Sequence, residues 1–337
     1  MAGRLIIPEN YESPLDLMET QRAIKKIKDF FQQELAYGLE LRRVSAPLLV
    51  DPAKGLNDNL SGVERTVSFT IKDMGEMVAE VPQSLAKWKR GALARYGIEP
   101  GKGIYTDMNA LRRDEELDNL HSVYVDQWDW EKVIRKEDRN EEYLKETVET
   151  IYMAIKNLGD YVNRLYKELR TELPNEIFFI TSQELEDRYP GLNSKQREDA
   201  ITKEKRAVFI MKIGGRLKSG EKHDGRAPDY DDWELNGDII LWNDILGCAF
   251  ELSSMGIRVD EEALVRQLEI AGEMKRLPME FHQGIVDGTL PYSVGGGIGQ
   301  SRLCMYFLRK AHIGEVQSAI WPEDMMKVCG ENKIYIL

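Results

Sequence analysis

The chain has few cysteines for its 337 residues. Cys248, Cys304 and Cys329 are far apart and odd in number. That argues against a disulfide framework and a zinc site, and it fits a reducing cytoplasm. The four histidines, His121, His223, His282 and His312, show no HxxxH spacing, so no histidine-based metal site is expected. Positive charge is in deficit. Lys and Arg number 46 against 58 Asp and Glu, a net charge of −12, which speaks against a long nucleic-acid groove while leaving room for a local basic patch. Long apolar runs are missing too. None approaches the ~20 residues of a membrane span, and Met1-Ala2-Gly3-Arg4 has no apolar signal core behind it. Internal repeats, low-complexity tracts and linkers are also absent. The expectation is one cytoplasmic domain over residues 1–337 with no membrane or nucleic-acid partner.

What is present reads as long helices mixed with hairpin-connected strands. Ser13-Pro14-Leu15-Asp16 suits a helix start, with Ser13 as N-cap and Pro14 at N1. Leu17, Ile24, Ile27, Phe31 and Leu35 then mark one stripe, and Gly38 stands where a C′ residue belongs. Residues 39–50 read as a strand, and Pro47 makes it an edge open to a partner. Strand-like segments follow at 66–71, 77–81, 105–113 and 121–130. Lys87, Lys89 and Arg90 open a helix and read first as a solvated face. On the strand ending at Trp130, Val125, Gln127 and Asp129 share one face. From Leu144 to Leu169, apolar residues recur alternately four and three apart, a long helix packing within its own domain. Short strands at 177–181 and 207–213 flank a helix at 194–205. Strands at 238–242 and 249–258 read as antiparallel, with helices at 260–272 and 278–287. The fold class is α+β, an antiparallel sheet flanked by helices.

The most informative stretch is Gly295-Gly-Gly-Ile-Gly-Gln-Ser-Arg302. Four glycines in five positions read as a poor strand interior, because glycine loses most backbone entropy on ordering. They permit close backbone approach, and a glycine turn feeding a helix is a ready anion site. No Gly-Lys-Ser/Thr follows, so this is not a P-loop, and its place in the chain is wrong for a dinucleotide fingerprint. Asp238 and Glu251 lie on adjacent candidate strands, with Arg258 seven residues on, Arg302 closing the glycines and Arg112 ending an earlier strand. Two carboxylates with arginines suit magnesium–triphosphate chemistry, since Mg²⁺ takes one or two carboxylates plus phosphate oxygens.

These segments resemble the three motifs of class II aminoacyl-tRNA synthetases: motif 1 over about 14–50, motif 2 over about 105–130, including Leu111-Arg112-Arg113-Asp114, and motif 3 over about 295–310. Over almost the whole chain the sequence is similar to the ammonia-dependent asparagine synthetases, which share that catalytic core. Asp58-Asn-Leu-Ser-Gly62, Ser84-Leu-Ala-Lys-Trp-Lys-Arg90, residues 121–130, Ala227-Pro-Asp-Tyr-Asp-Asp-Trp233 and the glycine stretch carry this likeness. Only two residues separate Trp233 from Asn236, a shorter loop than in some relatives.

The resemblance implies an AMP-forming ligase that joins aspartate to ammonia through a β-aspartyl adenylate, with ATP, Mg²⁺ and a homodimer. It implies Arg112 on the α-phosphate, Arg302 stacked on adenine, and His121, Ser122 and Gly297 beside the nucleotide. Asp238 and Glu251 would hold Mg²⁺. For aspartate, Asp129, Asp231 and Gln127 suit the ammonium, Lys89, Arg258 and Ser84 suit carboxylates, and Ser254 is a further aspartate-binding residue. An arginine grips a carboxylate through two parallel bonds, which a lysine cannot copy. Lys87 competes with Lys89 for its role. Asp58 is the candidate for attracting ammonium and accepting its proton. Free ammonia is the expected donor, because position 2 is Ala2 and the first cysteine is Cys248. A true aspartyl- or asparaginyl-tRNA synthetase is the alternative enzyme, and the early first helix leaves no room for its tRNA-binding barrel. A catalytically dead relative would lack Arg112, Glu251 or Arg302, and all three are present.

Overall fold

The computed structural model describes residues 5–57, 60 and 64–337. It is organised by an eight-stranded sheet in the order β1-β4-β5-β10-β9-β8-β7-β6. The strands are β1 (Leu41–Arg43), β4 (Gly103–Leu111), β5 (Tyr124–Val133), β6 (Phe178–Thr181), β7 (Ala207–Met211), β8 (Asp231–Asn243), β9 (Cys248–Arg258) and β10 (Ser293–Gly299). The central pairs are antiparallel, and the two outer pairs, β1 with β4 and β6 with β7, are parallel. A separate hairpin joins β2 (Val67–Ile71) to β3 (Met77–Val81).

Two long helices seal one face of the sheet. Helix α1 (Leu17–Leu39) buries Ile27, Phe31 and Leu35, and α3 (Glu141–Leu165) buries Val148, Ile151, Ile155 and Leu158. They meet Trp128 and Trp130 of β5 in the main core. The heptad pattern therefore packs inside the chain, as its spacing suggests. The opposite face carries α2 (Ala86–Arg95) over β4 and β5, and α5 (Ser194–Lys205) over β7–β9. Helix α4 (Ser182–Arg188) packs beside α5, while α6 (Glu261–Ala271) and α7 (Glu280–Val286) form their own small core with Val259.

Several sequence expectations are corrected. The N-cap of α1 is Asp16, whose carboxylate accepts from Glu19 N–H, and Ser13 donates instead to Leu15 O. Gly38 lies inside α1, where a Cβ would meet Thr150 Cγ2 of α3 at 3.0 Å, and Glu40 takes the left-handed cap at φ 57°. Residues 39–50 yield only three residues of strand. Beyond β1 the chain leaves the sheet, and Val50 bridges Glu80 of β3. The edge itself is real, since β1 is outermost. The two residues between Trp233 and Asn236 form no loop; they lie within β8 at a register shift against β9.

The largest correction is the glycine stretch. It is β10, fully buried and mid-sheet, paired to β5 on one side and β9 on the other. Entropy is outweighed because the neighbouring side chains need the space. A Cβ at Gly295 would overlap the Glu131 carboxylate and the Arg258 guanidinium, and one at Gly297 would overlap the Gln127 amide. On the core face, a Cβ at Gly296 would sit 2.7 Å from Ser254 O. Gly296→Ala should therefore destabilise the protein by about 1–3 kcal/mol, the range for overpacking. In helix α9 (Glu323–Glu331), Gly330 has open space around its missing Cβ. Gly330→Ala should stabilise by ~0.4–1 kcal/mol. Urea unfolding of both variants checks the contrast.

Candidate active site

Strand alternation builds the floor of a cavity of about 520 Å³. Along β5, Gln127, Asp129 and Glu131 point to the α2 side, while Trp128 and Trp130 point to the core. Opposite them, β9 contains one extra residue between the Ile239 and Ile240 pairings of β8. A bulge re-aims the side chains beyond it. Here it brings Glu251 to the same face as Ser254 and Arg258, and all three line the cavity. Between these strands β10 contributes Ser293 at its start and then only glycine on that face, at 295, 297 and 299.

One end of the cavity is a buried charge network. Lys89 Nζ lies 2.6 Å from Asp129 Oδ1, 2.9 Å from Gly296 O and 3.8 Å from Glu131. Arg258 donates to Glu131 through Nε at 2.9 Å and Nη2 at 2.7 Å, and through Nη1 to Asp231. Ser293 Oγ donates to Glu131 at 2.7 Å. Burial would raise the Glu131 carboxyl, but Arg258 and Lys89 hold it below the ordinary range. For Asp231 burial wins over Arg258 and Arg226, and its carboxyl is raised.

The other end carries Arg112, His121, Ser122, Glu251 and Arg302. Arg112 approaches Glu115 at 3.6 Å and keeps its Nε buried without a partner. His121 Nδ1 bonds Asp118 at 2.9 Å. Arg302 Nη1 donates to Glu251 O at 3.0 Å. The anion site expected where the glycines meet helix α8 (Gln300–Phe307) is filled from within: Ser301 N–H donates to Asp126 Oδ1 at 3.0 Å. That carboxylate already answers the helix dipole.

Thirteen sequence-selected residues line this one cavity: Ser84, Lys89, Arg112, His121, Ser122, Gln127, Asp129, Asp231, Glu251, Ser254, Arg258, Gly297 and Arg302. Asp238 is brought near but sits behind the wall, ion-paired with Arg226. Asp58 lies outside the described residues. Lys87, Lys89 and Arg90 are not a solvated face, being 4%, 1% and 1% exposed. Lys89 faces the cavity, while Lys87 turns away to Asp229 at 2.8 Å. The Arg258 fork expected for a substrate carboxylate instead grips Glu131. Glu131 was missed because the strand was read as ending at Trp130; one more step of alternation reveals it. Arg226 was missed inside a segment noted only for its carboxylates. Gln83 also lines the cavity, with both amide atoms buried and unpartnered, and nothing in its sequence context marks it.

The fit to Mg²⁺ rests on the donors. Asp238 keeps Oδ1 buried without a hydrogen-bond partner, and Glu251 offers a second carboxylate from the next strand. Among the described residues no three His, Cys, Asp or Glu side chains converge as a metal site. Two carboxylates fit a cation that arrives with phosphate oxygens.

The fold is that of the class II synthetase core. Asparaginyl-tRNA synthetase from Entamoeba histolytica superposes with a TM-score of 0.61 at 13% identity, over 89% of this chain and 67% of that one. Asparaginyl-tRNA synthetase from Pyrococcus horikoshii complexed with asparaginyl-adenylate gives 0.56 at 17%, over 90% and 70%. Against aspartyl-tRNA synthetase from Entamoeba histolytica the TM-score is 0.60 at 14% identity, and 88% of this chain spans 58% of that one. Within that class the sequence is decisive: the chain belongs to the aspartate–ammonia ligase family, which it matches over residues 18–333. Aspartate–ammonia ligase of Clostridium tetani is 63% identical over 334 residues, 99% of this chain and 98% of the relative. The ligase of Ligilactobacillus salivarius is 57% identical over 99% of both.

Lys87 tests the division of labour on α2. Burial would raise the Asp229 carboxyl, but Lys87, His282 and Arg276 hold it well below the ordinary range. Its stabilising charge is thus complete above the unfolded value of about 3.9 and is lost as pH falls through the lower folded value. Lys87→Met leaves Asp229 short of a partner in a fully buried place. The variant should lose about 3 kcal/mol in urea unfolding at neutral pH. Its acid unfolding should begin at higher pH than in the parent protein.

Proposed function

We propose that the chain makes L-asparagine from L-aspartate, ammonia and ATP through a β-aspartyl adenylate, acting as one catalytic unit. The observation that carries this reading is the near-full-length kinship to aspartate–ammonia ligases combined with one cavity that gathers both charge signs. Aspartate brings an ammonium and two carboxylates. Asp129, Asp231 and Gln127 receive the ammonium; Lys89, Ser84, Ser254 and the outer N–H groups of Arg258 receive carboxylates. These charges are already paired with one another, so the pocket is organised before substrate arrives. A β-carboxylate oxygen then attacks the α-phosphorus of ATP, forming an O–P bond as pyrophosphate leaves. Arg112 holds the α-phosphate as charge builds. Arg302 stacks on adenine, and His121, Ser122 and Gly297 border the nucleotide. Asp238 and Glu251 would hold Mg²⁺, which would supply neutralisation of phosphate charge. Ammonium gives a proton to Asp58, and the resulting ammonia attacks the β-carbonyl carbon. The C–O bond breaks towards AMP as the attacking nitrogen gives up a second proton to solvent, leaving asparagine.

The protein acts in the cytoplasm as a two-fold homodimer, without nucleic acid. The outermost strand β1, with the exposed Tyr37 beside it on α1, supports an isologous contact. Sedimentation at micromolar concentration should show a dimer; a fully active monomer would remove that assignment. Chemically, incubation with ATP, Mg²⁺, aspartate and ¹⁵N-ammonium should yield AMP, pyrophosphate and labelled asparagine in equal amounts. ADP appearing in step with asparagine would sink the adenylate route.

A further inference from the structure

Arg226 lies in the loop before β8 and was selected by neither composition nor motif. Its side chain is 13% exposed and forms part of the cavity wall beside Glu251 and Arg302. One terminal nitrogen, Nη2, is bonded to Asp238 Oδ2. The other donates to Gly225 O at 2.9 Å and approaches Asp224 at 3.4 Å. Its Nε–H is buried and has no acceptor. Burial opposes the guanidinium charge, and Asp238, Asp224 and Glu251 together more than restore it. Asp238 is similarly half-satisfied: Oδ2 holds Arg226 and Oδ1 is bare. Arg226 thus has two engaged nitrogens and one idle, and Asp238 one engaged oxygen and one idle; the idle atoms are hidden from water, where an unpaired polar atom is unfavourable.

The arrangement matches a cation site held by a stand-in. A hard divalent cation on the Asp238–Glu251 pair would share its carboxylate with a guanidinium only a few ångström away, and the two positive charges repel. A polyphosphate resolves the conflict. It carries several anionic oxygens into the same space, and a guanidinium binds them through a planar fork. We propose that Arg226 is an exchangeable counter-ion: it occupies Asp238 in the nucleotide-free protein, yields it to the divalent cation, and grips the polyphosphate that enters with that cation. This deepens the proposed ATP-dependent function and relies on that reading for the identity of the polyphosphate. It makes Arg226 a substrate-binding residue with a second duty, masking a carboxylate pair until the nucleotide arrives.

The two duties give opposite signs when the charge is removed. Arg226→Gln should bind Mn²⁺ alone, without nucleotide, on the order of tenfold more tightly than the parent protein, because Asp238 has lost its resident cation. It should bind inorganic tripolyphosphate, without metal, on the order of tenfold more weakly, the loss that one charge-assisted bond carries. Electron paramagnetic resonance for Mn²⁺ and calorimetry for tripolyphosphate read these directly, with urea unfolding as the check on folding. Neither measurement needs turnover, so an enzyme with different products would fail the product experiment and still pass here. Weaker binding of both ligands would make Arg226 a strut that merely positions Asp238, and the proposal would fall. Unchanged binding of either would overturn it as well. If Arg226→Gln does not fold, Arg226→Lys decides: it should keep parental Mn²⁺ affinity and lose tripolyphosphate affinity, and any other pair of results overturns the exchange.

Discussion

The site depends on a strand, β10, that turns bare glycine toward it at 295 and 297. Five charged groups, Lys89, Asp129, Glu131, Asp231 and Arg258, lie over the middle of the sheet, where strand spacing leaves little height. They fit because β10 presents hydrogen at 295 and 297 where other residues would present carbon. The guanidinium of Arg258 can then reach across β10 from β9 to Glu131 on β5. Each charge has a partner of opposite sign, which is what makes such burial tolerable. Removing one member leaves the others uncompensated in a medium that screens poorly. Backbone geometry and electrostatics are therefore one constraint here, met by the same two glycines.

Much of the fold was legible because burial imposes periodicity. The seams of α1 and α3, the β2–β3 hairpin and the alternation on β5 all leave a pattern that survives without coordinates. The failures share a cause. Reading Gly295–Gly299 as a turn applied local backbone entropy to a position decided by distant neighbours. Reading Lys87, Lys89 and Arg90 as solvated applied a surface prior to a helix covered on several sides. In both cases tertiary contacts overrode local preference. No local signal exists for a bulge either, and without the one in β9 Glu251 would face the core. Individual site residues were legible through their resemblance to a family; their ion-pair partners, Glu131 and Arg226 above all, were not.

Helix α2 shows how finely neighbouring positions divide. Lys87 and Lys89 are two residues apart and both buried, yet they project to different carboxylates. One ties the helix to Asp229, immediately before the strand that carries Asp231. The other enters the cavity. The buttress and the contact residue thus share an element, and a shift of α2 would disturb both ends of the aspartate pocket together.

The position of β10 also governs how the molecule is made. It is the last strand in the chain, and it lies between β5, which ends at residue 133, and β9, which begins at residue 248. Until it arrives, the sheet is two half-sheets with two open inner edges. Exposed edges template pairing with other chains, and contacts so distant in sequence form slowly. A nascent chain emerging N-terminus first holds both edges unpaired until nearly all of it has left the ribosome. The strand that makes room for catalytic charge is thus also the keystone of assembly, and chaperone demand should concentrate in the interval before it inserts.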